Sequence, residues 1–290
     1  MKNLLNFSLG LILFGILGLS GLNAQEAISL TGHPRPGGLL FCRITPEKEP
    51  VSVSLNLANY TSSMFKEKTG SWLALIPVSP DIRPGKYLLT VALMDDRGEK
   101  TKITREVPIQ AFSLGEQYIS LAPESEDPAT QKKLEEEYKA VDKALATFTP
   151  DQIWWGNFLR PTPGPTTTTY GLKRTVTNQG YSYRHRGIDI AAGQGIPVEA
   201  ANTGVVALAR TDFIHNGEMV ALDHGQGLMT VYLHMSVILV KPGDLVKKGQ
   251  VIGKVGTTGF STGPHLHWGA YLRGKPFDPT LLMTIPQAAE

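Results

Sequence analysis

The sequence predicts a mainly β chain: an immunoglobulin-like β-sandwich at the N-terminal end, one connecting α-helix, and a second β domain after it. Three observations carry this. Apolar residues alternate in twos between turn signals up to about Phe112, the spacing changes to three and four between Glu124 and Phe148, and alternation returns after Pro165. At 290 residues the chain has about two domains' worth of length, taking roughly 100 to 200 residues each. Hydrophobic residues at 41% and charged residues at 19% exclude a disordered or supercharged chain. A formal charge of +2 gives no long-range field of the kind a dedicated nucleic-acid binder carries, so nucleic acid is excluded as a partner. The single cysteine, Cys42, can close no disulfide within the chain and cannot build a cysteine-rich zinc module. Any metal must therefore be held by histidines and carboxylates.

Residues 1–24 read as a signal peptide. Lys2 precedes Leu4, Leu5 and the apolar run from Leu9 to Leu19, and mostly small residues follow up to Ala24. The expected product is an exported protein, periplasmic or secreted, with no membrane contact once the leader is removed. The alternative is an uncleaved anchor, because Leu4 to Leu22 approaches the roughly 20 residues of a spanning helix.

Residues 25–112 form the sandwich in this reading. Val51, Val53, Leu55 and Leu57 interleave with Ser52, Ser54 and Asn56, the pattern of a half-buried strand. Further strands are expected at 39–44, 72–78, 87–93 and 103–109, broken by Pro46, Gly70, Pro84-Gly85 and Asp95-Asp96-Arg97-Gly98. No chemical constellation lies here, so a folded spacer or binding module is expected. Residues 113–150 form a helical linker. Asp127 is placed to cap a helix that starts with Pro128, and Leu134, Tyr138, Val141, Leu145 and Phe148 form one narrow apolar stripe beside Lys132, Lys133, Glu135, Glu136 and Glu137. Pro161-Thr162-Pro163-Gly164-Pro165 cannot be helical, and the second domain occupies residues 151–290.

Histidine is the informative residue there. In His185-Arg186-Gly187-Ile188-Asp189, a regular strand would separate His185 from Asp189 by about 13 Å, too far to share a metal. The chain must bend, Gly187 supplies the freedom to bend, and Asp189 then points away from Ile188 and Ile190. In His265-Leu266-His267-Trp268 the two imidazoles share one strand face, so one can bind metal while the other stays free. In Thr230-Val231-Tyr232-Leu233-His234 the alternation puts His234 on the outward face of a strand with Thr230 and Tyr232. Three protein ligands with an open fourth position define a catalytic zinc site, and further histidines suit acid-base work near neutral pH. His224, in Asp223-His224-Gly225, reads as a turn residue, and His33 and His215 take no role.

The stretch from Tyr170 to Trp268 resembles the lysostaphin-type (LytM-domain) zinc metallopeptidases, peptidoglycan endopeptidases of bacteria. The matching text is His185-Arg186-Gly187-Ile188-Asp189-Ile190-Ala191-Ala192, Gly195-Ile196-Pro197-Val198, Asp223-His224-Gly225-Gln226-Gly227, Tyr232-Leu233-His234, and Gly259-Phe260-Ser261-Thr262-Gly263-Pro264-His265-Leu266-His267-Trp268. The resemblance implies an antiparallel β-sheet metallopeptidase domain with a groove, and one Zn2+ per chain bound by His185, Asp189 and His267. It also implies His234 and His265 as the catalytic pair, one taking a proton from water and the other stabilising the oxyanion, with the assignment between them open. The partners it implies are peptidoglycan stem peptides and cross-bridges. Met235, Tyr170 and Gly269 depart from the usual residues, and none removes a ligand.

Two other classes compete. A non-catalytic LytM-domain regulator or activator of other wall hydrolases is expected to have lost ligands, and all five positions are present here. A lipoyl or biotinyl carrier module is suggested by the stretch from Val240 to Gly253, but it needs an exposed modifiable lysine hairpin that the sequence lacks. A D-Ala to diamino acid cross-link is the expected bond, since no wall-binding module of the staphylolytic kind follows the domain. The long region ahead of the site raises autoinhibition as a hypothesis.

Overall fold

The computed structural model describes residues 28–119 and 127–285, so the expected leader at residues 1–24 lies outside the described residues. The first domain contains β1 Ile28–Gly32, β2 Leu39–Ile44, β3 Ser52–Leu57, β4 Tyr60–Ser63, β5 Phe65–Lys66, β6 Trp72–Pro77, β7 Gly85–Met94 and β8 Lys100–Ile109. They pair antiparallel into two four-stranded sheets, ordered β1-β2-β6-β5 and β4-β3-β7-β8. In β3 the alternation buries Val53, Leu55 and Leu57 and exposes Ser52, Ser54 and Asn56, while Val51 falls outside the strand and is exposed. Leu39 and Ile76 of one sheet share a core with Leu55 and Leu89 of the other, which makes the sandwich.

In β6 every residue is buried, so it does not alternate. Its outer face is covered by the second domain: Ala74 and Leu75 share a small cavity with Trp154, Leu228 and Leu272. The expected spacer is thus packed into a core common to both domains.

The linker contains β9 Glu116–Ile119 and α1 Pro128–Leu145. Asp127 caps α1 by accepting the Thr130 N–H at 3.0 Å, and Pro128 takes the first position, where its missing N–H costs nothing. The apolar stripe differs from expectation. Leu134 and Leu145 are buried, but Tyr138 and Phe148 are exposed, and Glu137 from the supposed polar face is only 2% exposed. Phe148 lies beyond the helix end and packs near Phe65 and under the Arg273 guanidinium instead.

The second domain contains β10 Thr166–Thr168, β11 Lys173–Val176, β12 Tyr181–Arg184, β13 Ile188–Ala191, β14 Pro197–Glu199, β15 Gly204–Arg210, β16 Glu218–Asp223, β17 Leu228–Ile238, β18 Leu245–Val246, β19 Val251–Val255, β20 His265–Leu272 and β21 Lys275–Phe277. Its main sheet is antiparallel with the order β10-β13-β20-β17-β16-β15-β18. The β11–β12 hairpin stands beside it, and β9 of the linker joins β11 in parallel. Among the described residues no helix is long and apolar enough to cross a membrane.

Candidate metal centre and active site

Neighbouring strands β13 and β20 set the site. Asp189 pairs directly with His267, flanked by the pairs Ile188 with Trp268 and Ile190 with Leu266. Pleating sends the four apolar side chains, each at most 1% exposed, into the core and turns Asp189 and His267 to the opposite face. His185 reaches the same point from the bend before β13. Its Nε2 lies 3.0 Å from Asp189 Oδ1 and 2.9 Å from His267 Nδ1, and His267 Nδ1 lies 3.0 Å from the same carboxylate oxygen. The role of Gly187 differs from expectation. Its φ is not positive, and what it supplies is space, because a Cβ there would come within 2.6 Å of His267 Nε2 and 2.5 Å of the Trp268 carbonyl oxygen.

The donor set suits a cation. The Thr169 carbonyl, 3.0 Å from His185 Nδ1, can only accept, so the proton sits on Nδ1 and Nε2 presents a lone pair. That lone pair, the Asp189 oxygen and His267 Nδ1 converge at 2.9–3.0 Å, near the roughly 3.4 Å edges of a tetrahedron with about 2.1 Å metal bonds. Burial alone would raise the Asp189 carboxyl, but His185 and His267 outweigh it and hold the group well below the usual carboxylate range. Burial pushes the His267 imidazole down to about 4, which keeps it neutral and able to ligate near pH 7. Arg174, on β11, places Nη2 3.6 Å from Asp189 Oδ2, the oxygen turned away from the histidines.

His234 reaches the site by a different route from the one its alternation suggests. Thr230 and Tyr232 are fully buried, not outward, and the Tyr232 hydroxyl accepts the Ala201 N–H. Leu233 pairs with His267 and Tyr232 with Trp268, so in an unbroken strand residue 234 would fall on the core face. Instead the β16–β17 register shifts here, and His234 takes φ +62°, the left-handed region that costs a non-glycine residue about 1–2 kcal/mol. The bulge turns its ring to the site, with centroids 4.9 Å from His265 and 6.3 Å from His267.

His234 Nδ1 donates to the Thr258 carbonyl at 2.9 Å and His265 Nδ1 to the Gly263 carbonyl at 2.8 Å. Both rings therefore keep a bare Nε2, that of His265 lying 3.8 Å from Asp189 Oδ1. Burial, then the neighbouring His267 and His265, push His234 down to about 3. Neutral imidazoles with free Nε2 atoms can take up a proton. The structure thus brings all five expected residues together. His224 sits in its turn but is fully buried, its ring nitrogens 2.7 Å from Thr203 O and 2.7 Å from Thr230 Oγ1. His215 stacks on Phe260 with centroids 5.6 Å apart. Sequence reasoning passed over Thr169, Thr258 and Gly263, because they act through backbone carbonyls that any residue type could supply.

Residues 183–279 match Peptidase family M23. The peptidoglycan DD-endopeptidase ShyA of Vibrio cholerae is 44% identical over 105 residues, which are 36% of this chain and 24% of that protein, so the chain matches about a quarter of that relative's length. A Pseudomonas aeruginosa crystal structure assigned to peptidase M23 superposes with a TM-score of 0.65 at 27% identity, covering 88% of this chain and 96% of that one. The catalytic domain of lysostaphin from Staphylococcus simulans is 31% identical, covering 42% of this chain and 93% of that domain, with a TM-score of 0.38. Residues 183–279 of the chain are thus a Peptidase family M23 domain.

Proposed function

We propose that this chain is a zinc-dependent endopeptidase that hydrolyses peptide cross-links of bacterial peptidoglycan. The observation that carries the reading is the convergence of His185 Nε2, Asp189 Oδ1 and His267 Nδ1 beside two further imidazoles with free Nε2 atoms. His185, Asp189 and His267 would hold the ion. When bound, zinc supplies Lewis-acid polarisation of the scissile carbonyl and lowers the pKa of a water towards about 7. The chain's own part is proton handling and orientation. Nε2 of His234 or His265 takes the proton from the attacking water and passes it to the leaving amine, while the other ring, carrying a proton from solvent on Nε2, donates to the developing oxyanion. The carbonyls of Thr258 and Gly263 hold both rings in the tautomer this requires. Arg174 lies beside Asp189 Oδ2 and would help to orient the carboxylate that holds the ion.

The substrate class rests on the family and on the relative named a peptidoglycan DD-endopeptidase, and it extends to a D-Ala to diamino acid bond in this chain. Export to the periplasm or medium rests on the leader pattern in residues 1–24. N-terminal sequencing of the protein recovered from cells tests that export, and a chain that retains Met1 would favour the anchored alternative.

The test of function is metal content together with peptide release from purified peptidoglycan, for the wild-type chain and Asp189→Ala in parallel. Stoichiometric zinc with cross-link cleavage, both lost in the variant, is the expected result. Bound zinc without cleavage of any wall type would overturn the enzyme reading in favour of a regulator.

A further inference from the structure

Glu137 is a buried carboxylate with no part in the metal centre, and it lies on α1, outside the residues that match the family. It is not an incidental charge. Oε2 accepts the N–H groups of Ile214 at 2.7 Å and His215 at 3.0 Å, and Oε1 accepts the Asn216 N–H at 2.8 Å and its side-chain amide at 2.7 Å. Four donors on one carboxylate make a rigid joint between the helix and the 214–216 turn.

The turn leads directly to His234. The carbonyl of Asn216 accepts the His234 N–H at 3.1 Å, at the residue that holds φ +62°. The carbonyl of His215 accepts the Phe260 N–H at 2.9 Å, tying down the loop whose Thr258 carbonyl holds His234 Nδ1. Gly217 closes against the same loop, since a Cβ there would come within 2.4 Å of Thr258 Oγ1. Both hydrogen bonds that orient His234 thus come from segments held by the turn that Glu137 ties to the helix. A strained backbone conformation persists only where its surroundings over-determine it, and here the surroundings end at Glu137.

We propose that Glu137 is a positioning residue for His234: by binding the 214–216 turn it holds the His234 backbone in its left-handed conformation and the ring at the metal centre. The inference rests on the reading of His234 as a catalytic group. The zinc ligands lie on β13, β20 and the bend before β13, none of which Glu137 touches, so metal binding is expected to be independent of it.

The experiment compares the full chain with Glu137→Gln, which keeps the volume but replaces acceptor capacity with an amide that faces N–H donors. Leu134→Ala is the control, since it removes buried apolar surface from the same helix and leaves the Glu137 carboxylate in place. The first readout is amide hydrogen exchange. Glu137→Gln is expected to lose protection over residues 213–218 and 232–236 and to keep it over 187–191 and 265–268. The second readout is turnover of a cross-linked muropeptide, where kcat is expected to fall at least tenfold with KM within twofold and zinc content unchanged.

Unchanged protection over 213–218, or an equal kcat loss in Leu134→Ala, would overturn the proposal. If Glu137→Gln does not fold, Asn216→Asp sets a second carboxylate against Glu137 with the helix intact and is read in the same two ways. A wild-type chain that cleaves no muropeptide would sink the endopeptidase reading, and the exchange readout would then decide this proposal alone.

Discussion

At the scale of single residues the site is a matter of where lone pairs point. The carbonyls of Thr169, Thr258 and Gly263 take the Nδ1 protons of His185, His234 and His265 and leave each Nε2 bare. His234→Ala is therefore expected to keep its zinc and lose about 10²- to 10⁴-fold in kcat, the usual worth of a positioned acid-base group. Near wild-type turnover with zinc bound would remove His234 from the scheme. His224 makes a prediction about stability. Burial pushes it from 6.5 down to about 4, so below pH 6.5 the unfolded chain takes up a proton that the folded chain refuses until about pH 4. Its effect on stability is absent above pH 6.5 and grows as the pH falls through that window, reaching about 3 kcal/mol. In urea titrations between pH 7 and 4, His224→Asn should be less stable at pH 7 and show a shallower acid slope than wild type. Parallel slopes would contradict this.

At the scale of elements, what was legible in the sequence followed the regularity of each element. The capped start of α1 at Asp127-Pro128 and the strand alternation around Val53 and Leu55 are local patterns, and both appear as read. The faces of Thr230 and Tyr232 were misread, and His234 reaches the outward face expected of it only because a bulge breaks the period of two, which nothing local marks. Glu137 was misread for a related reason: in a stripe analysis a glutamate counts as polar surface, and its four partners lie about eighty positions away in the chain. Gly187 gives the element-scale prediction. In Gly187→Ala the added methyl must displace His267 or the β20 backbone, and zinc affinity should fall about 10- to 100-fold, as when the support of a ligand is lost. Competition with a chelating dye measures this, and unchanged affinity would show that the site can absorb the methyl.

At the scale of the molecule the N-terminal sandwich, the linker and the M23 domain form one packed unit. Ala74 and Leu75 meet Trp154, Leu228 and Leu272, Asp81 pairs with Arg184 at 2.7 Å beside His185, and β9 extends the β11–β12 hairpin. Leu75→Ala should lower stability by about 2–5 kcal/mol and move probes in both domains together in a single transition. Separate transitions would show that the domains fold independently. A fragment beginning at Asp151 loses Glu137 and exposes Trp154, and it is expected to be less active than the full chain. Higher activity of the fragment would instead support the autoinhibition hypothesis.

The sequence by itself determined the β character of both domains and the start of the helix, and it singled out five residues that the fold brings together. Each of these is written in local spacing or in a run of matching text from His185 to Trp268. Tertiary structure decided how His234 reaches the site, which carbonyls set the tautomers, that the N-terminal sheet is buried on its outer side, and that a helix from outside the family domain holds the turn beside His234. These depend on contacts between residues far apart in the chain, and on backbone groups whose partners no side-chain pattern records.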